Sequence, residues 1–534
     1  MGDSIVFFTR AFLNNKSWQD RSITVKLRQL ERQDIFPLND KPVYILNYSE
    51  YYLGEFCDEY GILESICIGF DNREHVQGIH SFRGHKITVK GFEEGLPNGV
   101  LVILAGYPQE YFNLLKNIPN SESIDVIFFY CDMEMKFDLY YRKKFKTEPL
   151  QNIIIFRSGS GASQYIPGED FNENCRALFQ YMLSIGLDRI YKLVWLVKDP
   201  DEYNALYKKS NVLFLSYYDA ISDVDEVREL YYKNICLAKY IFASHTMLFA
   251  RNARADQIRV MLWHGCGFKR TVRLQREEKR YEYMTVTSDM YAKLHADAFG
   301  LKMSQMLITG LPKEDWLFKP IKDFFCRFHI PKTNKYVFWL PTWRTTAVTY
   351  NERTSRIVNA TTGLPIFKNE NELIRLDNKL KKMGITLIIK PHPWQNEISH
   401  IKGSISNIIV IEHRMLNKER VFINELLNYA DALISDYSSV AVDYMLLDRP
   451  MAFTVDDCSE YGKEWGFYWD NIEDYLPGKL IYNEIDFEEF LEEVNIGKDR
   501  SLVKRCKLFD EFHRYKDEYN SKRIVETLGV LEGK

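Results

Sequence analysis

The sequence predicts an α/β protein built from three successive modules, each with a parallel sheet. Short apolar segments recur along the chain, and most of them alternate with segments of helical character. This alternation is typical of parallel sheets, because a crossover, usually a helix, must connect two parallel strands. The chain has 534 residues, which corresponds to about three or four domains of 100–200 residues each.

The composition excludes several other classes of protein. Hydrophobic residues make up 46% and charged residues 27% of the chain, and this ordinary globular composition excludes wholesale disorder. The formal net charge is only −4, so we expect no general binding of polyanions and no nucleic-acid partner. The nine cysteines form no CxxC pair, which argues against a zinc site or a disulfide framework and favours a reducing compartment.

The sequence also bears on location. The start of the chain lacks the basic and long apolar regions of a secretory signal. No apolar run approaches the ~20 residues that a helix needs to cross a bilayer. We therefore expect a cytoplasmic protein that is soluble or at most peripheral to a membrane.

The first module is predicted over residues 1–135 as a Rossmann-like accessory domain. Its strand candidates are PVYILNY, SICIGF, HKITVKG, VLVILAG and DVIFFYC. Residues 47–52 read NYSEYY, where a dinucleotide-binding fold requires G-x-G-x-x-G to let the backbone approach a pyrophosphate. We therefore predict no bound dinucleotide, although Asp71 stands where a ribose-binding acid would. The polar, basic segment 136–149 is interpreted as a linker.

A second module is predicted over residues 150–320 and a third over residues 330–534. The second contains the strands NIIIF, KLVWLVKD and NVLFLSY and the amphipathic helix NENCRALFQYMLSIG, and the third begins at the strand KYVFWL. Two such modules followed by closing helices suggest the two-domain GT-B arrangement. Ligands of open α/β sheets bind beyond the carboxyl ends of the strands, so side chains at strand ends are expected to face the cleft between these modules.

Two motifs at strand ends contain histidine. VMLWHGCGFKR places His264 just beyond a strand, where a neutral imidazole could accept a proton from an attacking hydroxyl, and Lys269 nearby could hold an anion. GITLIIKPHPW brings Lys390 and His392 to the end of another strand, and the prolines on both sides of His392 restrict its backbone. Taken alone, either histidine could instead be structural.

Two further motifs supply groups that suit phosphate. Thr342 and Arg344 follow the strand in VFWLPTWRTT, and arginine is favoured for forked contacts to phosphate oxygens. In DALISDYSSVAVDY the strand ends at Asp436, and Ser438 and Ser439 open a helix whose free N–H groups suit an anion. A surface arginine paired with a carboxylate and a simple helix cap are the alternative interpretations.

In this order and spacing, the motifs resemble those of the CDP-glycerol glycerophosphotransferase family of teichoic-acid and capsule polymer enzymes. The resemblance runs from about Phe171 to Tyr482 and rests on WHG…K, G-x-P-x-x-D, PTWR, K-x-H-P and SDYSS-x-x-x-D. The chain has Cys266 and Gly267 where the family commonly has Thr-Pro, and Lys313 where it usually has arginine. Both departures lie near the expected cleft, so they affect how the donor is bound and how the acceptor fits.

The resemblance implies a transferase that moves glycerol phosphate or ribitol phosphate from a CDP-activated donor to a hydroxyl of a cell-surface polymer or lipid-linked acceptor, and releases CMP. It implies that His264 is the general base and that His392 stabilises the transferring phosphate or the leaving CMP. Asp443 would contact polyol hydroxyls or orient a histidine. The expected substrate-binding residues are Lys269, Thr342, Arg344, Lys390, Asp436, Ser438, Ser439 and Asp443. The Asp-x-Asp triplets at 199–201 and 223–225 lie outside the motifs, and we expect no metal or cofactor.

Two alternative functions stay open at the level of sequence. One is a GT-B glycosyltransferase that uses a nucleotide sugar, and the other is a non-catalytic module for polymer assembly. A lipid-linked acceptor would further imply peripheral binding to the cytoplasmic face of the cell membrane. The basic, aromatic stretches 136–146 and 504–516 could supply that binding, although a solvated charged surface is the simpler interpretation of each.

Overall fold

The computed structural model describes residues 27–29, 43–46, 53–54, 57, 66–70, 77–91, 99–103, 124–129, 133–159, 170–208, 211–245, 247–250, 252–270, 281–342, 345–346, 357–358, 362–392 and 405–533. The chain forms two compact units. The first consists of residues 1–147 and 219–233, and the second of residues 148–218 and 234–534. Within the described part of the chain, no helix is both long and apolar enough to cross a bilayer.

The first unit contains a sheet with the strand order β1-β7-β6-β2-β3-β5-β4. Its strands are β1 (Leu27–Gln29), β2 (Val43–Leu46), β3 (Ile66–Phe70), β4 (Gly78–Phe82), β5 (His85–Lys90), β6 (Gly99–Ile103) and β7 (Ile124–Phe129). All neighbours are parallel except β4 and β5, which form an antiparallel hairpin. Arg83 and Gly84 both have positive φ at its turn, as a two-residue type I′ turn requires. Residues 47–52 and Asp71 lie outside the described residues.

The segment interpreted as a linker contains the helix α1 (Met133–Lys144). Tyr141 and Phe145, four residues apart on one face, are buried. The ring of Tyr141 stacks on that of Tyr232 with centroids 4.9 Å apart, and Tyr232 Oη donates a hydrogen bond of 3.1 Å to the carbonyl of Glu134. This aromatic face packs the segment against residues 219–233 of the same unit.

The second unit contains two sheets, and the first of them has the order β10-β9-β8-β11-β12-β13-β14. Its strands are β8 (Gln151–Arg157), β9 (Lys192–Val197), β10 (Val212–Ser216), β11 (Ala238–Ala243), β12 (Ile258–Met261), β13 (Tyr283–Val286) and β14 (Met306–Ile308). All neighbours in this sheet are parallel. The helices of this region are α2 (Glu173–Ser184), α3 (Pro200–Leu206) and α5 (Asp289–Phe299), and α4 (Asp225–Leu237) lies mostly within residues 219–233 of the first unit.

The helix α2 is amphipathic, as the sequence predicts. The side chain of Asn172 caps it by accepting a hydrogen bond from the backbone N–H of Glu173. Cys175, Leu178 and Met182 repeat at helical spacing, and all are buried. They pack in the core of the first sheet together with Trp195 of β9.

The second sheet of this unit has the order β19-β18-β15-β20-β21-β22, and all its neighbours are parallel. Its strands are β15 (Lys335–Trp339), β18 (Ile385–Ile389), β19 (Ile408–Val410), β20 (Ala432–Ser435), β21 (Met451–Thr454) and β22 (Lys479–Ile481), and a separate pair is formed by β16 (Thr345–Thr346) and β17 (Ile357–Val358). The helices are α6 (Phe324–Arg327), α7 (Glu370–Met383), α8 (His413–Glu419), α9 (Ile423–Leu426), α10 (Val440–Tyr444), α11 (Cys458–Trp465), α12 (Ile472–Tyr475), α13 (Glu484–Asn495), α14 (Leu502–Phe512) and α15 (Asn520–Thr527).

The closing helix α15 returns to the first sheet of the unit. Ile524 and Val525 are buried in the core around β8 and β9. The backbone N–H groups of Asn520 and Ser521 donate hydrogen bonds of 2.9 Å each to the carboxylate of Asp315. The last helix, which the sequence assigned to the third module, therefore packs against the second.

Candidate active site

His264 follows β12 in a turn that the side chain of Asn174 holds in place. Trp263, the residue before it, has a left-handed backbone with φ of 58°. Its carbonyl accepts a 2.8 Å hydrogen bond from the side-chain amide of Asn174. The oxygen of the same amide accepts a 3.0 Å hydrogen bond from the backbone N–H of Lys313. Asn174 is fully buried, so it fixes the turn at His264 to the loop after β14.

The glycines of this turn allow it to touch the second sheet of the unit. A Cβ on Gly265 would lie 2.5 Å from Ser439 Oγ, and one on Gly267 would lie 3.1 Å from Ser439 Cβ. The first distance leaves no room for a Cβ unless Ser439 moves, and the second is tighter than ordinary packing, so glycine suits this close approach. The WHG and SDYSS motifs, which end strands of different sheets, are therefore in direct contact.

A buried ion pair joins the same two regions. Lys313 Nζ lies 2.8 Å from Asp443 Oδ2, and both side chains are almost completely buried. Asn424 donates a second hydrogen bond, of 3.0 Å, to this oxygen. Burial lowers the pKa of Lys313, but the Asp443 carboxylate outweighs burial and the net pKa is raised. Lys313 is thus charged at neutral pH. The described side-chain contacts of Asp443 are with Lys313 and Asn424.

The imidazole of His264 lies between two other rings. The ring centroids of Trp263 and His245 are 4.1 Å and 5.2 Å from its own. The side chain keeps a solvent-exposed face, although the atoms around it displace much of its water. This desolvation, followed by the charges of His245 and Lys313, holds the pKa of His264 well below its usual range. The ring is therefore neutral at neutral pH and can accept a proton.

The strand ends of the second sheet carry the remaining predicted residues. Thr342 follows β15, and both its N–H and its hydroxyl donate to Asp436 Oδ2, at 2.7 Å and 2.6 Å. Asp436 is completely buried. Its carboxylate accepts both of these hydrogen bonds and thereby positions the backbone of Thr342. Lys390 is buried after β18, and its N–H donates to the carbonyl of Trp339 at 3.0 Å. His392, two residues later, is half-buried.

Ser438 and Ser439 are half-buried and precede α10. Ser439 occupies the capping position of this helix, but its side chain makes no capping hydrogen bond. The simple capping role considered from the sequence is thus not seen for Ser439. Arg344, the predicted phosphate ligand next to Thr342, lies outside the described residues.

Lys269, the predicted anion-binding lysine, contacts an aromatic ring. Its Nζ lies 3.6 Å from the centroid of the Trp465 ring, in the geometry of a cation–π interaction. Its backbone also pairs with that of Phe467. These contacts attach the segment after His264 to α11 and the residues that follow it.

Sequence reasoning missed two residues beside His264. His245 follows β11, and its Nε2 lies 3.0 Å from Glu173 Oε2 at the start of α2. The segment YIFASH ends a strand with a histidine, which is the signal that pointed to His264, so His245 could have been found in the same way. Glu173 carries no comparable signal.

Within the described ranges, no group of three or more His, Cys, Asp or Glu residues is arranged to hold a metal ion.

Comparison with known proteins identifies the family of the chain. A family model described as CDP-glycerol:poly(glycerophosphate) glycerophosphotransferase matches residues 142–529, well over half of the chain. The chain belongs to this family. The resemblance predicted from the motifs is confirmed.

Several relatives are teichoic acid enzymes. The chain is 26% identical over 313 residues to the teichoic acid ribitol-phosphate polymerase TarK of Staphylococcus aureus, with 54% of this chain and 56% of the relative covered. It is 29% identical over 260 residues to the teichoic acid glycerol-phosphate primase of Bacillus subtilis, with 48% and 60% covered. The chain spans about half the length of several relatives that it matches.

A solved structure shares the fold. The wall teichoic acid polymerase TagF aligns with a TM-score of 0.55 and 20% identity, over 74% of this chain and 92% of TagF. In a second TagF structure, the alignment covers 79% of this chain at 19% identity, again with a TM-score of 0.55. This likeness confirms the predicted α/β fold with a GT-B-like pair of Rossmann-like domains.

Proposed function

We propose that this protein transfers glycerol phosphate or ribitol phosphate from a CDP-activated donor to a hydroxyl of a polymer or lipid-linked acceptor, with release of CMP. The observation that carries the proposal is the direct contact of the WHG turn with Ser439. It sets the neutral imidazole of His264 beside the hydroxyl-bearing loop of the other sheet. Family membership supports this chemistry, and the names of the relatives include both polyol phosphates.

In the proposed reaction, the acceptor hydroxyl attacks the β-phosphorus of the donor. A new P–O bond forms, the bond from phosphorus to CMP breaks, and His264 takes the hydroxyl proton. Phosphoryl transfer depends mainly on positioning and on charge stabilisation at the phosphate oxygens. We assign that stabilisation to Lys390, His392 and the serines Ser438 and Ser439. Arg344 and Lys269 are proposed as further phosphate contacts, with the Thr342–Asp436 pair shaping the strand end beside them.

The proposal is tested by incubating the purified protein with CDP-glycerol or CDP-ribitol, with and without a lipid-linked acceptor. We expect acceptor-dependent CMP release and a phosphodiester product from one of the two donors. Transfer from a nucleotide sugar with a glycosidic product would instead show a glycosyltransferase. Absence of turnover with every donor, while the polymer still binds, would show a polymer-assembly module.

The pH dependence of turnover should reflect the lowered pKa of His264. A general base acts in its deprotonated form, and the usual pKa of histidine is about 6.5. Because the pKa of His264 is well below that value, kcat/KM should stay near its maximum as the pH falls through 6.5 and decline only in more acidic solution. The measurement is a pH profile of CMP release, with circular dichroism as a check on folding. An acidic limb centred above pH 6.5 would contradict this assignment.

The serines should contribute to binding of the donor diphosphate. The double change Ser438→Ala and Ser439→Ala should weaken binding of both the CDP-donor and CMP, because each hydrogen bond lost to a charged group costs about 1.5–3 kcal/mol. Arg344→Ala is expected to have a similar effect. Isothermal calorimetry with CMP measures it. Ser501→Ala is the matched control, since Ser501 also precedes a helix without a capping hydrogen bond. Unchanged CMP affinity would place the donor site elsewhere.

We also propose that the protein reaches its acceptor as a peripheral protein at the cytoplasmic face of the membrane. The two basic stretches differ in their suitability for lipid contact. Arg505 is buried and pairs with Asp448 and Asp499, so the stretch 504–516 offers fewer free charges than its sequence suggests. The end of α1 exposes Lys143 and Lys144, and Lys144 Nζ lies 2.7 Å from Glu229 Oε2 in an exposed pair. Their exposure favours the stretch 136–146.

Weak, salt-sensitive binding to anionic vesicles is therefore expected. Each basic residue near an anionic surface contributes about 1 kcal/mol, so Lys143→Glu with Lys144→Glu should weaken vesicle binding without changing turnover on a soluble acceptor. The matched control is Lys381→Glu with Lys382→Glu, at the exposed end of α7. Vesicle sedimentation at low and physiological salt measures the effect. If the unmodified protein does not sediment even at low salt, a partner protein must bring it to the acceptor.

A further inference from the structure

A carboxylate–histidine pair lies directly behind His264. Glu173 Oε2 is 3.0 Å from His245 Nε2, and the two side chains are 15% and 21% exposed. The ring of His245 stacks on that of His264, with an angle of 10° between the planes and 5.2 Å between the centroids. Neither residue belongs to the motifs that carry the family resemblance. The pair therefore contacts the proposed base without being part of the described phosphate-binding loops.

Two strained backbone positions lie in this cluster, one in the pair itself and one beside His264. Glu173 has φ of 55° and Trp263 has φ of 58°, a left-handed region that non-glycine residues adopt only at a cost in free energy. The two positions are linked through Asn174, which follows Glu173 in α2 and holds the carbonyl of Trp263. Strain of this kind persists only where the surroundings enforce the conformation, and it is often found at functional sites.

The cluster thus restrains His264 from two directions. Asn174 fixes the backbone of the turn through Trp263, and the Glu173 carboxylate lies 3.0 Å from the His245 ring that stacks on His264. Adjacent residues at the start of one helix supply both restraints. A general base must be held within hydrogen-bond reach of the hydroxyl that it deprotonates, and a misplacement of about 1 Å can cost about 10²-fold in rate.

We propose that Glu173 and His245 are positioning residues for proton transfer at His264. The Glu173 carboxylate holds the His245 ring at ion-pair distance from Nε2, and this ring sets the plane of the His264 imidazole toward the acceptor hydroxyl. This inference deepens the proposed function and rests on it. The two residues make no bond to the reacting atoms, and they act only through the ring that they orient.

The ionisable groups around His264 give the pair a second influence. The groups that act on it are His245 after β11, Lys313 in the loop after β14, His295 of α5 and Lys269 in its own segment, and each lowers the pKa of His264. Removing His245 should therefore shift the acidic limb of the turnover profile to higher pH.

The test introduces His245→Ala, His245→Phe and Glu173→Gln one at a time, first into the protein that retains His264 and then into the His264→Ala variant. In the unmodified protein, His245→Ala should lower kcat by about 10–100-fold with little change in donor KM, since misplacement of a general base has effects of this size. His245→Phe keeps a flat ring for stacking and should lose less. In the His264→Ala background, the same changes should alter the residual rate by less than about 2-fold, because no ring remains to be oriented.

Several outcomes would overturn the inference. Equal losses in both backgrounds would show that His245 acts on the fold or the substrate, and full turnover of His245→Ala would show that it has no role. An independent readout is the titration of the His264 ring, followed by NMR of protein with labelled histidine. His245→Phe should raise the midpoint of this titration. An unchanged midpoint would show that His245 has no electrostatic influence on His264. If the unmodified protein releases no CMP from either CDP-polyol, the proposed function fails, whereas an active protein with fully active variants refutes this inference alone.

Discussion

His264→Ala is expected to lower turnover by about 10²–10⁴-fold, the size of effect that follows loss of a general base. The fold should survive the change. The described contacts of the His264 ring are stacking with His245 and a tilted contact with Trp263, and its side chain has an exposed face. The substitution therefore removes ring contacts but breaks none of the described hydrogen bonds, so we expect the fold to persist.

The measurement is the initial rate of CMP release at saturating donor, with the thermal unfolding midpoint recorded for the same preparation. His85→Ala in β5 of the first unit is the matched histidine control and should keep normal turnover. If His264→Ala also keeps near-normal turnover, the histidine is structural and the base must lie elsewhere. A loss of rate accompanied by a large drop in the unfolding midpoint would show a folding defect instead.

The sheets were predictable because their strands are short, unbroken apolar runs. The run ITLIIK becomes β18 (Ile385–Ile389), in which every residue is buried, as expected for a parallel strand covered on both faces. The polar residues that follow such runs fall at the carboxyl edge of the sheet because of the topology alone. His264, Lys390 and Asp436 were found in this way.

The contacts between the sheets were not predictable in the same way. Gly265 and Ser439 lie far apart in the sequence, and no local pattern states that one will leave room for the other. Asp443 was expected to contact a polyol or orient a histidine, whereas the structure buries it against Lys313. The charge on Lys313 was visible in the sequence, but the partner of a buried charge depends on how the two sheets pack.

The helix α1 illustrates a different limit. Its basic residues dominate the composition of the segment, and this composition favoured a linker. The buried aromatic face of Tyr141 and Phe145 is only two residues wide, so its helical period is hard to recognise. What stabilises the helix is packing against Tyr232, which lies about ninety residues later, and tertiary contacts of this kind commonly override local preference.

The largest expected effect on stability concerns the ion pair between Lys313 and Asp443. Asp443→Asn keeps the shape of the side chain but removes its charge, so the ammonium of Lys313 stays buried without its counter-charge. Breaking a buried pair from one side costs about 3–5 kcal/mol, and the midpoint of urea unfolding should fall accordingly. The matched control is Glu526→Gln in the exposed pair with Lys522, whose side chains are both 51% exposed, and there the cost should stay below about 1 kcal/mol.

The double variant Asp443→Asn with Lys313→Met separates charge burial from packing. If the uncompensated charge causes the loss, then replacing the lysine by an apolar side chain of similar length should restore most of the stability, because a buried pair can often be exchanged for apolar residues at little cost. If the double variant is as unstable as the sum of the single changes, packing is responsible instead. Turnover of a stable double variant then reports on catalysis. A stable double variant with little activity would show that the ion pair contributes to turnover beyond its contribution to stability.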